Sequence, residues 1–150
     1  MRIDYALTFP AQKTPAETRE ALEKLRHFCM DRPFELVSPI SRQLRPAKSK
    51  VFDIDPILRI GFFCLVPGGT LDLALYRFPR FKKTIIPWAH ESFVTIDSEH
   101  QGWTARHAAI ISVLEQAGRI GFGVDVEDPC GFQKHHSRER LVKLRRIIEV

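Results

Sequence analysis

The hydrophobic positions of this chain change period several times, and each change marks an element. Ile3, Tyr5, Leu7 and Phe9 alternate with Asp4, Ala6 and Thr8, the period-2 signature of a strand with one buried face. Pro10 closes it. Thr14-Pro15-Ala16-Glu17 then reads as a helix start, with a threonine cap, proline at the first helical position and a glutamate to complete a capping box. Ala21, Leu22, Leu25, Phe28 and Cys29 share one stripe of that helix, with Arg19, Glu23 and Lys24 opposite, and Pro33 marks its end.

Residues 34–40 read as a second strand. Residues 42–50 hold one large apolar residue, Leu44, and a proline, which predicts a loop. The nearly continuous apolar run 57–66 suits a strand buried on both faces. Pro67-Gly68-Gly69-Thr70 is a turn signal, and residues 71–78 return as a strand, so 57–78 is a hairpin by pattern. Residues 79–88 are irregular, basic and aromatic. A short strand follows at 92–97, with Val94 and Ile96 on one face. A second helix covers 103–117 on a stripe of Trp103, His107, Ile110, Ile111 and Leu114, with Gly118 as its left-handed stop. Ile120, Phe122, Val124 and Val126 alternate as a further strand. Ser137 caps a last helix that turns Leu141, Leu144 and Ile148 inward.

The order is β-α-β-β-β-β-α-β-α. It predicts an α+β fold: a single, mostly antiparallel sheet with helices packed on one face, related to the ferredoxin-like sandwich. At 150 residues the chain is read as one domain.

Composition adds limits. No run approaches the roughly 20 apolar residues of a membrane span, and the alternation at the N-terminus is unlike a secretory signal. Cys29, Cys64 and Cys130 are widely spaced and odd in number, which argues against a disulfide framework and for a cytoplasmic protein. The net charge of +5 is uneven. Arg42, Arg45, Lys48 and Lys50 have no acid between them. Arg80, Lys82 and Lys83 form a second basic stretch, and 134–146 a third.

Pro67-Gly68-Gly69 is followed by Leu73-Ala74-Leu75-Tyr76-Arg77-Phe78-Pro79 and then Trp88. A helix opens near His107 and ends at Gly118. Asp128, Gly131-Phe132 and a helix start over 138–141 complete the layout. In these features the C-terminal two-thirds of the chain resembles a family of small bacterial proteins with no assigned function. Cys130 and Gln133 stand where its members often carry an acidic residue and a second aromatic. The resemblance implies the architecture and no chemistry.

Candidate chemistry is sparse. Cys130, His135 and His136, with His90 or His107 as further ligands, are the metal candidates, but C-x4-H-H lies outside the usual zinc spacings. Glu91 and Asp97 share the strand face opposite Val94 and Ile96, and with a nearby histidine could work as acid and base. Gly68-Gly69 leads into a strand rather than a helix, so no phosphate cradle forms there. Phe78-Pro79-Arg80-Phe81-Lys82-Lys83 interleaves aromatics and cations as single-strand-binding surfaces do. Phe81, Ile85, Ile86 and Trp88 are apolar for a loop, and with Arg80, Lys82 and Lys83 around them they are the expected contact for a protein partner.

The first expectation is therefore a small binding or regulatory module without catalysis or cofactor, meeting a protein partner or a second copy of itself, with no membrane partner. Nucleic-acid binding through 42–50, 80–83 and 134–146 is one alternative. A metal-dependent hydrolase or metal-binding protein is the other.

Overall fold

The computed structural model describes residues 1–47, 52–127 and 133–134. Alternation decides where its layers meet. Strand β1 (Arg2–Phe9) turns Ile3, Tyr5, Leu7 and Phe9 to one face. After the short strands β2 (Leu36–Val37) and β3 (Ser41–Leu44), β4 (Leu58–Val66) and β5 (Gly69–Arg77) place Leu58, Ile60, Phe62, Cys64, Val66, Leu71, Leu73 and Leu75 in the same core. Helices α1 (Pro15–Cys29) and α2 (Trp103–Ile120) cover that face with Leu22, Leu25, Ile110, Val113 and Leu114, and they also touch each other. Fully burying each such leucine or isoleucine contributes about 1.5–3 kcal/mol.

The sheet is completed by β6 (Trp88–Thr95), β7 (Gly123–Glu127) and β8 (Gln133–Lys134). Its order is β2-β4-β5-β6-β1-β7-β8, with β3 beside β2 on the same side of β4. Every pairing is antiparallel. This is the expected α+β layer with its helices on one face. β6 and β7 flank β1 and so run parallel to each other, joined by α2 as a split β-α-β unit. The first half departs from the ferredoxin-like plan. The strand two places from β1 is β5, and the chain reaches it from α1 only after β2, β3 and β4. No helix among the described residues is long and apolar enough to cross a membrane.

Several boundaries differ from the sequence expectation. The capping box of α1 forms as expected, Thr14 Oγ1 accepting from Glu17 N–H at 3.1 Å and Glu17 Oε1 from Thr14 N–H at 3.2 Å. The strand expected over 34–40 is broken at Ser38, whose hydroxyl accepts from Phe63 N–H (2.8 Å) and donates to Pro39 O (3.0 Å). Pro39 has no N–H to continue the ladder. Residues 42–44, expected in a loop, belong to β3. α2 passes through Gly118 and ends at Gly121, whose φ of 124° is the left-handed stop. β6 starts at Trp88 rather than 92. The helix expected from Ser137 lies outside the described residues.

One feature holds the sheet's middle. β5 and β6 are paired at a single position, Tyr76 with Ala89. Farther along, Asp97 N–H donates to Pro67 O (3.0 Å), and the Thr95 hydroxyl to Gly68 O. Between these closures the Tyr5 hydroxyl reaches across from β1. It donates to Asp72 O at 2.7 Å and accepts from Asp72 N–H at 3.0 Å. A side chain thus satisfies two backbone groups that the neighbouring strand leaves open. Burial pushes the Tyr5 phenol far above its usual range, with the Asp72 charge adding to it, so the hydroxyl stays a neutral donor and acceptor. Tyr5→Phe is expected to cost about 2–6 kcal/mol, because it orphans both groups at about 1–3 kcal/mol each. Urea unfolding monitored by tryptophan fluorescence measures it, and a loss under 0.5 kcal/mol, the usual range for a neutral surface change, would refute the role.

Candidate functional site

Backbone pairing brings two of the three basic stretches to one end of the sheet. Arg45 N–H donates to Ile57 O (2.9 Å), and Ile57 N–H donates to Arg77 O (2.7 Å). The end of β3, the start of β4 and the end of β5 are therefore consecutive neighbours. The same terminal row continues through Trp88 at the start of β6, Phe9 at the end of β1 and Gly123 at the start of β7. With strands about 4.8 Å apart, the six strands of this row span roughly 24 Å.

Arg42, Arg45, Arg80, Lys82 and Lys83 are exposed along it. Arg77 lies with its guanidinium carbon 5.3 Å from the Trp88 ring centre. Phe81 and Thr84 exchange both backbone hydrogen bonds (3.1 and 2.8 Å), which closes a tight turn with Lys82 and Lys83 at its tip. Arg45 (φ 49°) and Lys82 (φ 54°) hold left-handed backbone, a conformation that costs a residue with a side chain about 1–2 kcal/mol. The third stretch, 134–146, lies outside the described residues except for the backbone of Lys134.

A second small core fixes these segments. Phe52 meets Phe78 edge-to-face at 5.0 Å, and Ala6, Ile86 and Ala89 complete the cluster on the sheet face away from the helices. This corrects the expected partner contact. Ile86 is 5% exposed in this cluster, and Trp88 is 1% exposed in the main core, where its Nε1–H donates to Lys13 O at 3.0 Å. Ile86 lies before β6, in the irregular segment, and packs with Ala89, which strand alternation turns away from Trp88 and the main core. Phe81 is half-buried against the second core. Of the four apolar residues, Ile85 alone is well exposed, at 59%. Arg80, Lys82 and Lys83 remain on the surface.

The main polar constellation lies in the β5–β6 gap. Arg59 Nη2 is 2.7 Å from Asp72 Oδ1, and His90 Nε2 is 3.2 Å from Asp72 Oδ2. The histidine contact has ion-pair distance without hydrogen-bond alignment. The His90 ring leans on Tyr76, 5.4 Å between centres. Burial alone would raise the Asp72 carboxyl, but His90 and Arg59 outweigh it and hold the group below the usual carboxylate range. The charges are matched within the cluster and tie β4, β5 and β6 together. The expected acid–base pair does not assemble. Glu91 sits beside Ala6 in mid-sheet. Asp97 lies six residues on, about 20 Å along an extended chain, where its Oδ1 accepts from Glu99 N–H at 3.0 Å.

Among the described residues, no three His, Cys, Asp or Glu side chains converge as a metal site. His90 is in the gap, and His107 lies on α2 against the edge of Trp103, 6.5 Å between rings. Cys130, His135 and His136 lie outside the described residues. Cys29 and Cys64 meet in the core as free thiols. Its hydrogen bond with Cys64, followed by burial, pushes the Cys29 thiol far up, so Cys29 is not poised as a nucleophile.

No protein-family model, curated protein or solved structure matches the chain.

Asp72 has a sign-definite consequence. A carboxyl with a depressed folded pKa contributes stability that is present above its unfolded pKa, near 3.9, and lost as pH falls through the folded pKa. Asp72→Asn should lower the melting temperature at pH 7 and flatten its fall below about pH 4. Melting curves for both proteins from about pH 7 to about pH 2.5 check this; parallel curves would remove Asp72 from the acid limb.

Proposed function

We propose that this chain is a nucleic-acid-binding module that holds single strands along the basic end of its sheet. The observation that supports it is the meeting of stretches 42–45 and 77–83 through the Arg45–Ile57–Arg77 backbone bonds. The only acids in the segments that pack there, residues 52–57 and 77–83, are Asp53 and Asp55. Cations from β3, β5 and the 81–84 turn lie over about 10–15 Å of that terminal row, enough to meet a few successive phosphates of a single strand. Two free thiols in contact suit a reducing compartment, and we place the protein in the cytoplasm.

Binding to single- and double-stranded oligonucleotides across salt tests the reading. Each single-strand phosphate contact contributes about 0.7 to the slope of log K against log salt. The double variant Lys82→Ala, Lys83→Ala should therefore reduce the slope by about 1.4. A wild-type slope near zero would sink the proposal.

A protein partner is the second reading, and the edge strand favours it. All four residues of β3 are exposed, Leu44 by 68%, and Ile57 beside it by 45%. An open edge of this kind accepts an added strand. If it pairs with a second copy, sedimentation equilibrium should show a dimer that Leu44→Asp dissociates. A wild type that is monomeric at every concentration rules out the self-pairing form.

A further inference from the structure

The basic end also carries a cleft. It opens where the β1–α1 loop, the approach to β6 and the α2–β7 turn come together, with a volume of about 540 Å³. Phe9 and Phe122 form its floor, their rings 4.8 Å apart and tilted by 47°. Pro10, Ile85 and Pro87 line its sides, and Gln12 stands at its mouth. Gly121 and Gly123 contribute no side chain, which leaves the cleft open on the α2–β7 side. Its size falls within the usual ~300–1,000 Å³ of small-ligand sites, and its mixture of an apolar body with few polar groups is typical of them.

Its surroundings select the occupant. Lys13 Nζ lies 5.9 Å from the Phe9 ring centre, and its pairing with Glu17 is loose, at 3.7 Å on an exposed turn. Arg77 is 5.3 Å from the ring of Trp88, the strand partner of Phe9. The Lys82–Lys83 turn precedes Ile85 directly. An aliphatic ligand would gain nothing from these cations. A flat apolar ring joined to a phosphate uses both.

We propose that this cleft receives one unstacked nucleobase of a bound single strand, with the neighbouring phosphates on Lys13, Arg77 and the Lys82–Lys83 turn. This rests on the nucleic-acid reading and goes beyond it, because the cations require only phosphates. The Gln12 amide, with both donors and an acceptor, can meet any base edge, so the slot selects bases over no base rather than one base over another.

The test compares a single-stranded oligonucleotide with a strand of equal length made entirely of abasic sites, by fluorescence anisotropy. Base contacts of this kind are worth about 1–3 kcal/mol each by substitution, so the wild type should favour the base-bearing strand by about tenfold or more. Gln12→Trp places a bulky ring in the mouth without changing charge. It should bring the two affinities within about twofold, with binding to the abasic strand and its salt slope unchanged. A 2-aminopurine reporter in the strand, read with the wild type alone, should change emission on binding. Equal wild-type affinity for both strands overturns the slot while the basic end stands. Equal weakening of both strands by Gln12→Trp also overturns it. No binding of either strand removes the slot and the nucleic-acid reading together.

Discussion

The Tyr5 hydroxyl on the backbone of Asp72 is the constraint on which the middle of the molecule depends. β6 separates β1 from β5, yet β5 and β6 are paired at one position only. Without a bridge, the Asp72 N–H and C=O would be buried without partners, and each such group costs about 1–3 kcal/mol. The phenol answers both at once. The Asp72 carboxylate is then left free to collect Arg59 from β4 and His90 from β6. One residue therefore ties four strands, through its backbone to β1 and through its side chain to β4 and β6. A buried network of this kind adds little net stability compared with apolar packing. Its effect is to fix register, and register is what this gap would otherwise leave loose.

Fixed register at the gap also sets the basic end of the sheet. Tyr76 and Ala89 are where β5 and β6 meet, and Arg77 and Trp88 lie one step beyond them. The chain leaves β5 there and enters β6 there, so the 78–87 segment has both feet anchored at the same point. Phe78 and Ile86, one near each foot, pack with Phe52 into the second core. The cations at the tip of the 81–84 turn thus stand on a packed platform rather than on a free loop. Holding Arg45 and Lys82 in left-handed backbone is consistent with that, since strained residues persist only where the surroundings over-determine them.

Much of the fold was legible because its elements carry their own signals. β1 and the β4–β5 hairpin follow apolar periodicity and a proline–glycine turn, and α1 follows its capping box. The failures share a cause, which is that long-range contact overrode a local pattern. Trp88-Ala89-His90-Glu91 does not look like a strand, because His90 serves the polar gap instead of an apolar face. Gly118 looked like a helix stop, yet two further glycines follow, and the helix ends at the one whose backbone is left-handed. Ser41-Arg42-Gln43-Leu44 has no apolar alternation, since all four residues of this edge strand are exposed. The candidate site was legible in part. The basic stretches are plain in the sequence, but their meeting depends on the Arg45–Ile57–Arg77 bonds, which join residues far apart in the chain. Trp88 and Ile86 misled for the opposite reason. Apolar residues in an irregular segment signal either a surface patch or a fold back onto the core, and composition does not separate the two.

The separation of charge across the molecule bears on which ligand fits. The sheet face away from the helices is the surface that open α+β sandwiches most readily offer to a nucleic acid. Here strand register puts Glu91 and Asp125 on either side of Ala6, and both Ala6 and Asp125 are fully buried. Its remaining apolar positions near the row's end are covered by Phe52, Phe78 and Ile86. Arg2 is paired with Asp4 at 2.9 Å and Arg59 with Asp72 at 2.7 Å, so these cations are already engaged when a phosphate chain approaches. At the end of the sheet the same chain meets cations from β3, β5 and the 81–84 turn. Under the nucleic-acid reading, a polyanion would therefore meet these cations at the edge where the Phe9–Phe122 cleft also opens, and its binding would depend on several segments together rather than on any single residue.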